Sequence, residues 1–64
     1  MTWELYEVWG VDEAFHEELL ETTSSRKEAY EIAETNLGLG YLQTIVYREN
    51  EEGDLEEVER FEQG

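Results

Sequence analysis

Residues 25–49 read SRKEAYEIAETNLGLGYLQTIVYRE and contain two kinds of regular pattern. The first half is typical of a helix from about Arg26 to Asn36, because apolar side chains recur on one face at helical spacing. These positions are Ala29, Tyr30, Ile32, Ala33 and Leu37. The second half, from Tyr41 to Glu49, favours a strand because it is rich in β-branched and aromatic residues.

Capping signals mark both ends of the predicted helix. Ser25 followed by Glu28 fits a capping box, in which each side chain satisfies a free backbone donor of the other residue. Gly38 lies just past the last turn, where a left-handed C-cap residue is expected.

Strand patterns flank the helix on both sides. Trp3 to Val11 alternates, which puts one set of side chains on one face (Trp3, Leu5, Glu7 and Trp9) and another set on the other (Glu4, Tyr6 and Val8). Asn50 to Gly53 has the composition and length of a hairpin loop. Leu55 to Phe61 is the predicted returning strand.

Two segments fit either a strand or a helix. Phe15 to Thr23 is interpreted as a strand with Phe15, Leu19 and Thr23 on one face, although its apolar residues also repeat at helical spacing. Leu55 to Phe61 has the same ambiguity, and the turn at Gly53 favours the strand. The preferred fold is an α+β domain of order ββαββ, a small antiparallel sheet with one packed helix, and the alternative is βααββ.

The 64 residues are expected to form one domain, 1–64, with a frayed tail at 62–64. The sequence shows no internal repeat. It has no cysteine, which excludes disulfides and thiolate metal sites. Without a signal peptide or an apolar run that could span a membrane, the expected location is cytoplasmic.

Charge is the most unusual property of the sequence. Eighteen acidic residues and four basic ones give a formal net charge of −14. Such a chain repels nucleic acid and anionic lipid, so neither direct nucleic-acid binding nor membrane binding is expected. It attracts basic proteins instead.

No motif points to catalysis, and the chain is predicted not to be an enzyme. His16 is the only histidine, and its neighbours Glu17 and Glu18 do not suggest a nucleophile, so a surface histidine is expected. The acidic loop at 49–54 fails the EF-hand pattern because Arg48 stands at the first ligand position. No cofactor or metal site is therefore expected.

The acids themselves are the candidate site, because rows of glutamates approach the charge density of a nucleic-acid backbone. On the strand interpretation, Glu17 lines up with Glu21 on one strand, and Glu57 lines up with Glu59 on another. The leading hypothesis is a protein-binding inhibitor or regulator that occupies the nucleic-acid site of a basic protein. The predicted electrostatic contacts are Glu17, Glu18, Glu21, Glu51, Glu52, Asp54, Glu56, Glu57 and Glu59. Trp3 and Trp9 are the predicted aromatic anchors on a sheet face that one helix cannot cover.

In size and charge the chain resembles the small acidic inhibitors that phages make against host enzymes and defence systems. The resemblance rests on composition and implies no site residue. The alternative is an ordinary acidic domain whose charge serves solubility or halophilic adaptation, or a homodimeric interaction module.

Overall fold

The computed structural model describes residues 4–63, which form four strands and one helix in the order ββαββ. The strands are β1 (Leu5–Val11), β2 (Glu17–Thr23), β3 (Gln43–Glu49) and β4 (Leu55–Glu62), and the helix is α1 (Arg26–Leu37). The predicted α+β class and element order are confirmed. The alternative βααββ order is wrong, because residues 17–23 pair with β1 as a strand.

The strands form one antiparallel sheet in the order β2-β1-β3-β4. Helix α1 packs on one face, here called the helix face. The opposite face, called the open face, is not covered by any element within residues 4–63. Tyr6 and Val8 point to the helix face, and Leu5, Glu7 and Trp9 lie on the open face, which confirms the predicted alternation.

The core lies between α1 and the two central strands. It consists of Tyr6, Val8, Ala29, Ala33 and Val46, each almost fully buried. Burial of each of the larger side chains contributes about 1.5–3 kcal/mol. The small alanines let the helix approach the sheet, and the buried Thr44 hydroxyl donates a hydrogen bond to the Ala33 carbonyl at 2.9 Å.

Gly10 allows the connection between α1 and β3 to pack against β1. A Cβ at this position would lie 2.7 Å from Cδ1 of Tyr41 and 3.0 Å from Cδ1 of Leu20. Contacts this short do not occur between real side chains, so the Tyr41 ring fills the space that a β1 side chain would need.

Two side chains share the capping of the helix N-terminus. Ser25 Oγ accepts a hydrogen bond from the Glu28 N–H at 3.3 Å, as predicted. The Ser25 N–H, however, donates to Thr23 Oγ1 at 3.1 Å, and the Thr23 hydroxyl donates to the Glu28 carboxylate at 2.8 Å. The second half of the predicted capping box is therefore wrong, because Thr23 lies between the two groups.

The C-terminus of the helix also differs from the prediction. Gly38 has φ −72° and remains right-handed, so the predicted left-handed C-cap at this residue is wrong. The turn continues through a hydrogen bond from the Leu39 N–H to the Asn36 carbonyl at 2.9 Å. The chain becomes left-handed only at Gly40, where φ is 113°.

Each edge strand contains one β-bulge. In β2, Glu21 lies opposite Val8 and Leu19 lies opposite Trp9, so Leu20 is the extra residue, and it packs against the core. The bulge in β4 has the same form, with Val58 as the extra residue beside the core.

The predicted alternation is wrong beyond the bulge in both edge strands, because one extra residue moves the following side chains to the other face. Three pairs predicted to share a face lie on opposite faces: Leu19 with Thr23, Glu17 with Glu21, and Glu57 with Glu59. Phe15, expected within the second strand, lies instead in the loop before it.

The β1–β2 and β3–β4 hairpins have the same backbone structure. The residues opposite the two bulges are Val8 and Val46, and these two valines face each other in the central strand pair. An approximate two-fold axis perpendicular to the sheet therefore passes between them. This symmetry was not predicted from the sequence and is visible in the strand register.

The two hairpin loops also correspond. Asp12 Oδ1 accepts hydrogen bonds from the N–H groups two and four residues later, both at 2.9 Å. Asn50 Oδ1 accepts from the N–H groups at the same spacings, at 2.9 and 3.0 Å. In both loops the third residue after Asp12 or Asn50 has a positive φ, which is 63° at Phe15 and 86° at Gly53.

Hydrogen bonds hold Gln63, the last residue that the structure describes. Glu62 is the last residue of β4. The Gln63 N–H donates to the Leu42 carbonyl at 3.1 Å, and its side-chain amide donates to the Leu37 carbonyl at 2.8 Å. These bonds involve one of the three residues for which the sequence predicts fraying, and Gly64 lies outside the described residues.

Candidate partner-binding surface

The centre of the open face is aromatic. The rings of Trp9 and Tyr47 meet edge to face, with centroids 6.5 Å apart. Ile45, opposite Trp9 in the central strand pair, is almost fully buried, while Leu19 on the other side is half exposed. Trp9 is partly buried, and its indole N–H donates to Glu7 at 3.0 Å.

Trp3, the other predicted anchor, lies outside the described residues. Trp9 is therefore the one predicted aromatic anchor that the structure describes. Its side chain is partly packed and partly exposed. Its ring stabilises the open face, and its exposed part remains accessible.

Acidic side chains border this aromatic centre. Burial raises the pKa of the Tyr47 hydroxyl, and the charges of Glu17 and Glu57 raise the same pKa further. Glu17 belongs to β2 and Glu57 to β4, so carboxylates from both edges of the sheet act on one central ring.

The nine predicted acidic contacts fall into two groups. The β2 group contains Glu17, Glu18 and Glu21, and the β4 group contains Glu56, Glu57 and Glu59 with Glu51, Glu52 and Asp54 of the preceding loop. Strands β1 and β3 separate β2 from β4, so the acids of these two strands form two rows at opposite edges of the sheet and not one continuous patch.

The two acidic rows are related by the approximate two-fold axis. Glu18 corresponds to Glu56, and Glu21 corresponds to Glu59. Because neighbouring strands are antiparallel throughout the sheet, β2 and β4 run in opposite directions. Three strand spacings separate their backbones, which is about 14 Å.

Few of these acids are neutralised. Among residues 4–63, the acids in ion pairs are Asp12, Glu31, Glu56 and Glu57. The Asn50 amide and the Arg48 guanidinium donate hydrogen bonds to Glu56 and lower the pKa of its carboxyl. Arg60 pairs with Glu57 at 2.7 Å, and this hydrogen bond raises the pKa of the guanidinium.

The exposure of Phe15 in a loop was not predicted from the sequence. Its side chain is 78% exposed at the tip of the β1–β2 loop. An aromatic residue before a glutamate-rich segment resembles the start of a strand, which concealed the loop. A usable signal was present, since Asp12 and Asn50 start similar segments whose fourth residues are Phe15 and Gly53.

His16 and the acidic β3–β4 loop both lie on the surface. The His16 side chain is 81% exposed, and its Nδ1 lies 3.9 Å from Asp12 Oδ2. No three potential ligands within residues 4–63 are placed to hold a metal ion. A shallow, open depression at the β3–β4 loop is lined by Asn50, Glu51, Glu52 and Glu56.

The part of the chain that the structure describes has no helix with the length and apolar character needed to cross a membrane. Comparison of the chain with models of known protein families, with curated proteins and with solved structures finds no match.

Proposed function

We propose that this domain is a non-enzymatic inhibitor or regulator that binds a basic protein at its nucleic-acid site. The acidic edges of the sheet would take the place of nucleic-acid phosphates. A cytoplasmic site of action is part of this proposal.

The observation that carries the proposal is the arrangement of the acids in two antiparallel rows. The rows are about 14 Å apart at the backbone, and the major groove of B-DNA, which separates two antiparallel phosphate strands, is about 12 Å wide. A basic cleft that fits two phosphate strands therefore meets a similar distribution of negative charge on this domain.

The shortage of internal counterions also supports the proposal. With four basic residues for eighteen acids, most carboxylates keep their charge available to a partner. Such a surface accelerates association with a basic partner at low salt, and screening at high salt weakens it.

A second candidate, a homodimeric interaction module, is favoured by the open face alone. Two copies could bury Trp9, Leu19 and Tyr47 against each other, but this would bring two strongly acidic sheets into contact. Sedimentation equilibrium distinguishes the candidates, because a dimer through this face should form better as salt is raised, whereas binding to a basic protein should weaken.

The proposed function is tested by competition for a basic nucleic-acid-binding protein. Proteins retained by the tagged domain at low salt are challenged with DNA or RNA and then with high salt. Retained basic proteins that nucleic acid displaces support the proposal. Retention of non-basic proteins only, or no displacement by either nucleic acid, would contradict it.

A matched pair of variants separates the acidic rows from net charge. Glu18→Lys with Glu21→Lys reverses charge in the β2 row, and Glu31→Lys with Glu34→Lys reverses the same charge on the exposed surface of α1. The edge variant should lose most of its binding and the helix variant should keep most of it. Equal losses would mean that only net charge matters.

A further inference from the structure

Phe15 occupies a position for which its side chain is unsuited. It is the only non-glycine residue within residues 4–63 with a positive φ, at 63°. In this left-handed region the Cβ of an L-residue crowds the backbone, and bulky residues are rare there. The ring gains little packing in return, because it is 78% exposed.

The second hairpin shows that the loop does not need this ring. Gly53 holds the corresponding position, and the N–H of each residue donates to the corresponding carbonyl, at 2.9 Å for Phe15 and 3.0 Å for Gly53. Glycine adopts this backbone conformation without strain. The phenylalanine thus stands at a position that the backbone disfavours for it, and strained, exposed residues of this kind occur at binding sites.

The surroundings of Phe15 indicate the chemistry of its partner. Asp12, Glu13 and Glu17 flank the ring in sequence, and the C-terminus of α1, which carries the negative end of the helix dipole, lies at the same end of the sheet. Leu39 is 73% exposed at this end, where the next residues join β1 through a hydrogen bond from Leu42. This end of the sheet therefore exposes the apolar side chains of Phe15 and Leu39, with negative charge around them.

We propose that Phe15 is an anchor residue that enters an apolar pocket bordered by lysine or arginine side chains on the basic partner. This inference rests on the proposed function. It adds a specific apolar contact to the attraction between opposite charges, which alone does not select one partner. Carboxylates around the ring complement a basic rim, whereas the same charges oppose a second copy of this chain. An exposed aromatic ring at the centre of a polar rim is a common arrangement of binding hot spots.

The experiment uses a displayed library of lysine- and arginine-rich peptides with interspersed random positions as the probe. Peptides selected on the wild-type domain are measured against Phe15→Gly, which removes the ring and relieves the strain, and Phe15→Trp, which keeps an aromatic ring. Leu55→Thr is the matched control, since it removes a partly exposed apolar side chain from the other hairpin.

We expect the selected peptides to contain apolar residues between basic ones. Phe15→Gly should melt at a higher temperature than the wild type, which shows that it is folded, and should bind these peptides about tenfold more weakly or worse. Phe15→Trp and Leu55→Thr should bind nearly as well as the wild type.

Three results would overturn the proposed anchor role of Phe15. These are selection of purely basic peptides, binding of the selected peptides by Phe15→Gly as tight as by the wild type, and no selected peptide at all. A self-association that Phe15→Gly abolishes would also overturn it in favour of a second copy. If Glu18→Lys with Glu21→Lys abolishes binding while Phe15→Gly does not, the proposed function stands without the anchor. If only Phe15→Gly weakens binding and nucleic acid does not compete, the anchor stands and mimicry of nucleic acid fails.

Discussion

The two hairpins share a backbone but differ in what their side chains do at corresponding positions. In the first hairpin, Gly10 leaves room for the Tyr41 ring and the loop tip carries Phe15. In the second, Arg48 replaces the glycine and pairs with Glu56, and Gly53 replaces the phenylalanine. The comparison teaches that one combination of loop and bulge accommodates different side chains at corresponding positions, a glycine that admits the Tyr41 ring in one hairpin and an ion-paired arginine in the other.

Between corresponding positions of the two hairpins, the largest difference in the effect of a substitution on stability is expected at Gly10 and Arg48. Gly10→Ala would place its Cβ 2.7 Å from the Tyr41 ring and should destabilise the domain by about 1–3 kcal/mol. Arg48→Ala removes a partly exposed ion pair and should cost less than about 1 kcal/mol. Urea unfolding of both variants measures the contrast, and equal losses would contradict the close approach at Gly10.

Substitutions at the two loop tips should change the stability of the domain in opposite directions. Phe15→Gly relieves a strained backbone and loses no buried contact, so it should stabilise the domain by about 0.5–1 kcal/mol. Gly53→Ala meets no neighbouring atom within 4 Å but introduces the same strain, so it should destabilise by about 1 kcal/mol. Thermal unfolding provides the measurement, and two changes of the same sign would show that the loops are not equivalent.

A smaller difference is expected at the residues that organise the loops. Asn50→Asp keeps the acceptor for the loop N–H groups but replaces the amide that donates to Glu56 with a second carboxylate. It should lower the melting temperature slightly. Asp12→Asn keeps the same acceptor and gives up only the exposed pair with His16, so its effect should be smaller still. The reverse order of melting temperatures would argue against the Asn50–Glu56 contact.

The smallest expected change in stability comes from the protonation of Glu56 at low pH. Because the Asn50 hydrogen bond and then Arg48 lower the pKa of this carboxyl, its stabilising contribution is present above the ordinary glutamate pKa. It is lost as the pH falls through the lowered pKa of the folded state. Side-chain carboxyl NMR should show the pKa of Glu56 rising in Asn50→Ala. The control Asp12→Ala should leave the same pKa unchanged.

The elements were predictable because their patterns are local. The helix was visible in the spacing of Ala29, Ile32 and Ala33, β1 in its alternation, and β3 in its β-branched and aromatic residues. The bulges were not, because the pairs Leu20–Glu21 and Val58–Glu59 are also compatible with regular alternation. Only pairing with the central strands reveals that each edge strand has one residue too many.

The acidic surface was predictable in composition but not in arrangement. The charged residues could be named from the sequence, yet their division into two rows depends on the strand order β2-β1-β3-β4. The loop at Phe15 was missed for a different reason. Left-handed loop positions are normally recognised by glycine or asparagine, and here an aromatic residue conceals one.

The bulges at Leu20 and Val58 have a consequence for behaviour at high concentration. A straight edge strand offers unpaired backbone groups on which another chain can add, and such addition leads to aggregation. Here each edge is interrupted by a bulge and carries glutamates that repel a second copy. The domain is thereby protected along both margins from growing into larger sheets, and it can keep an uncovered aromatic face in solution.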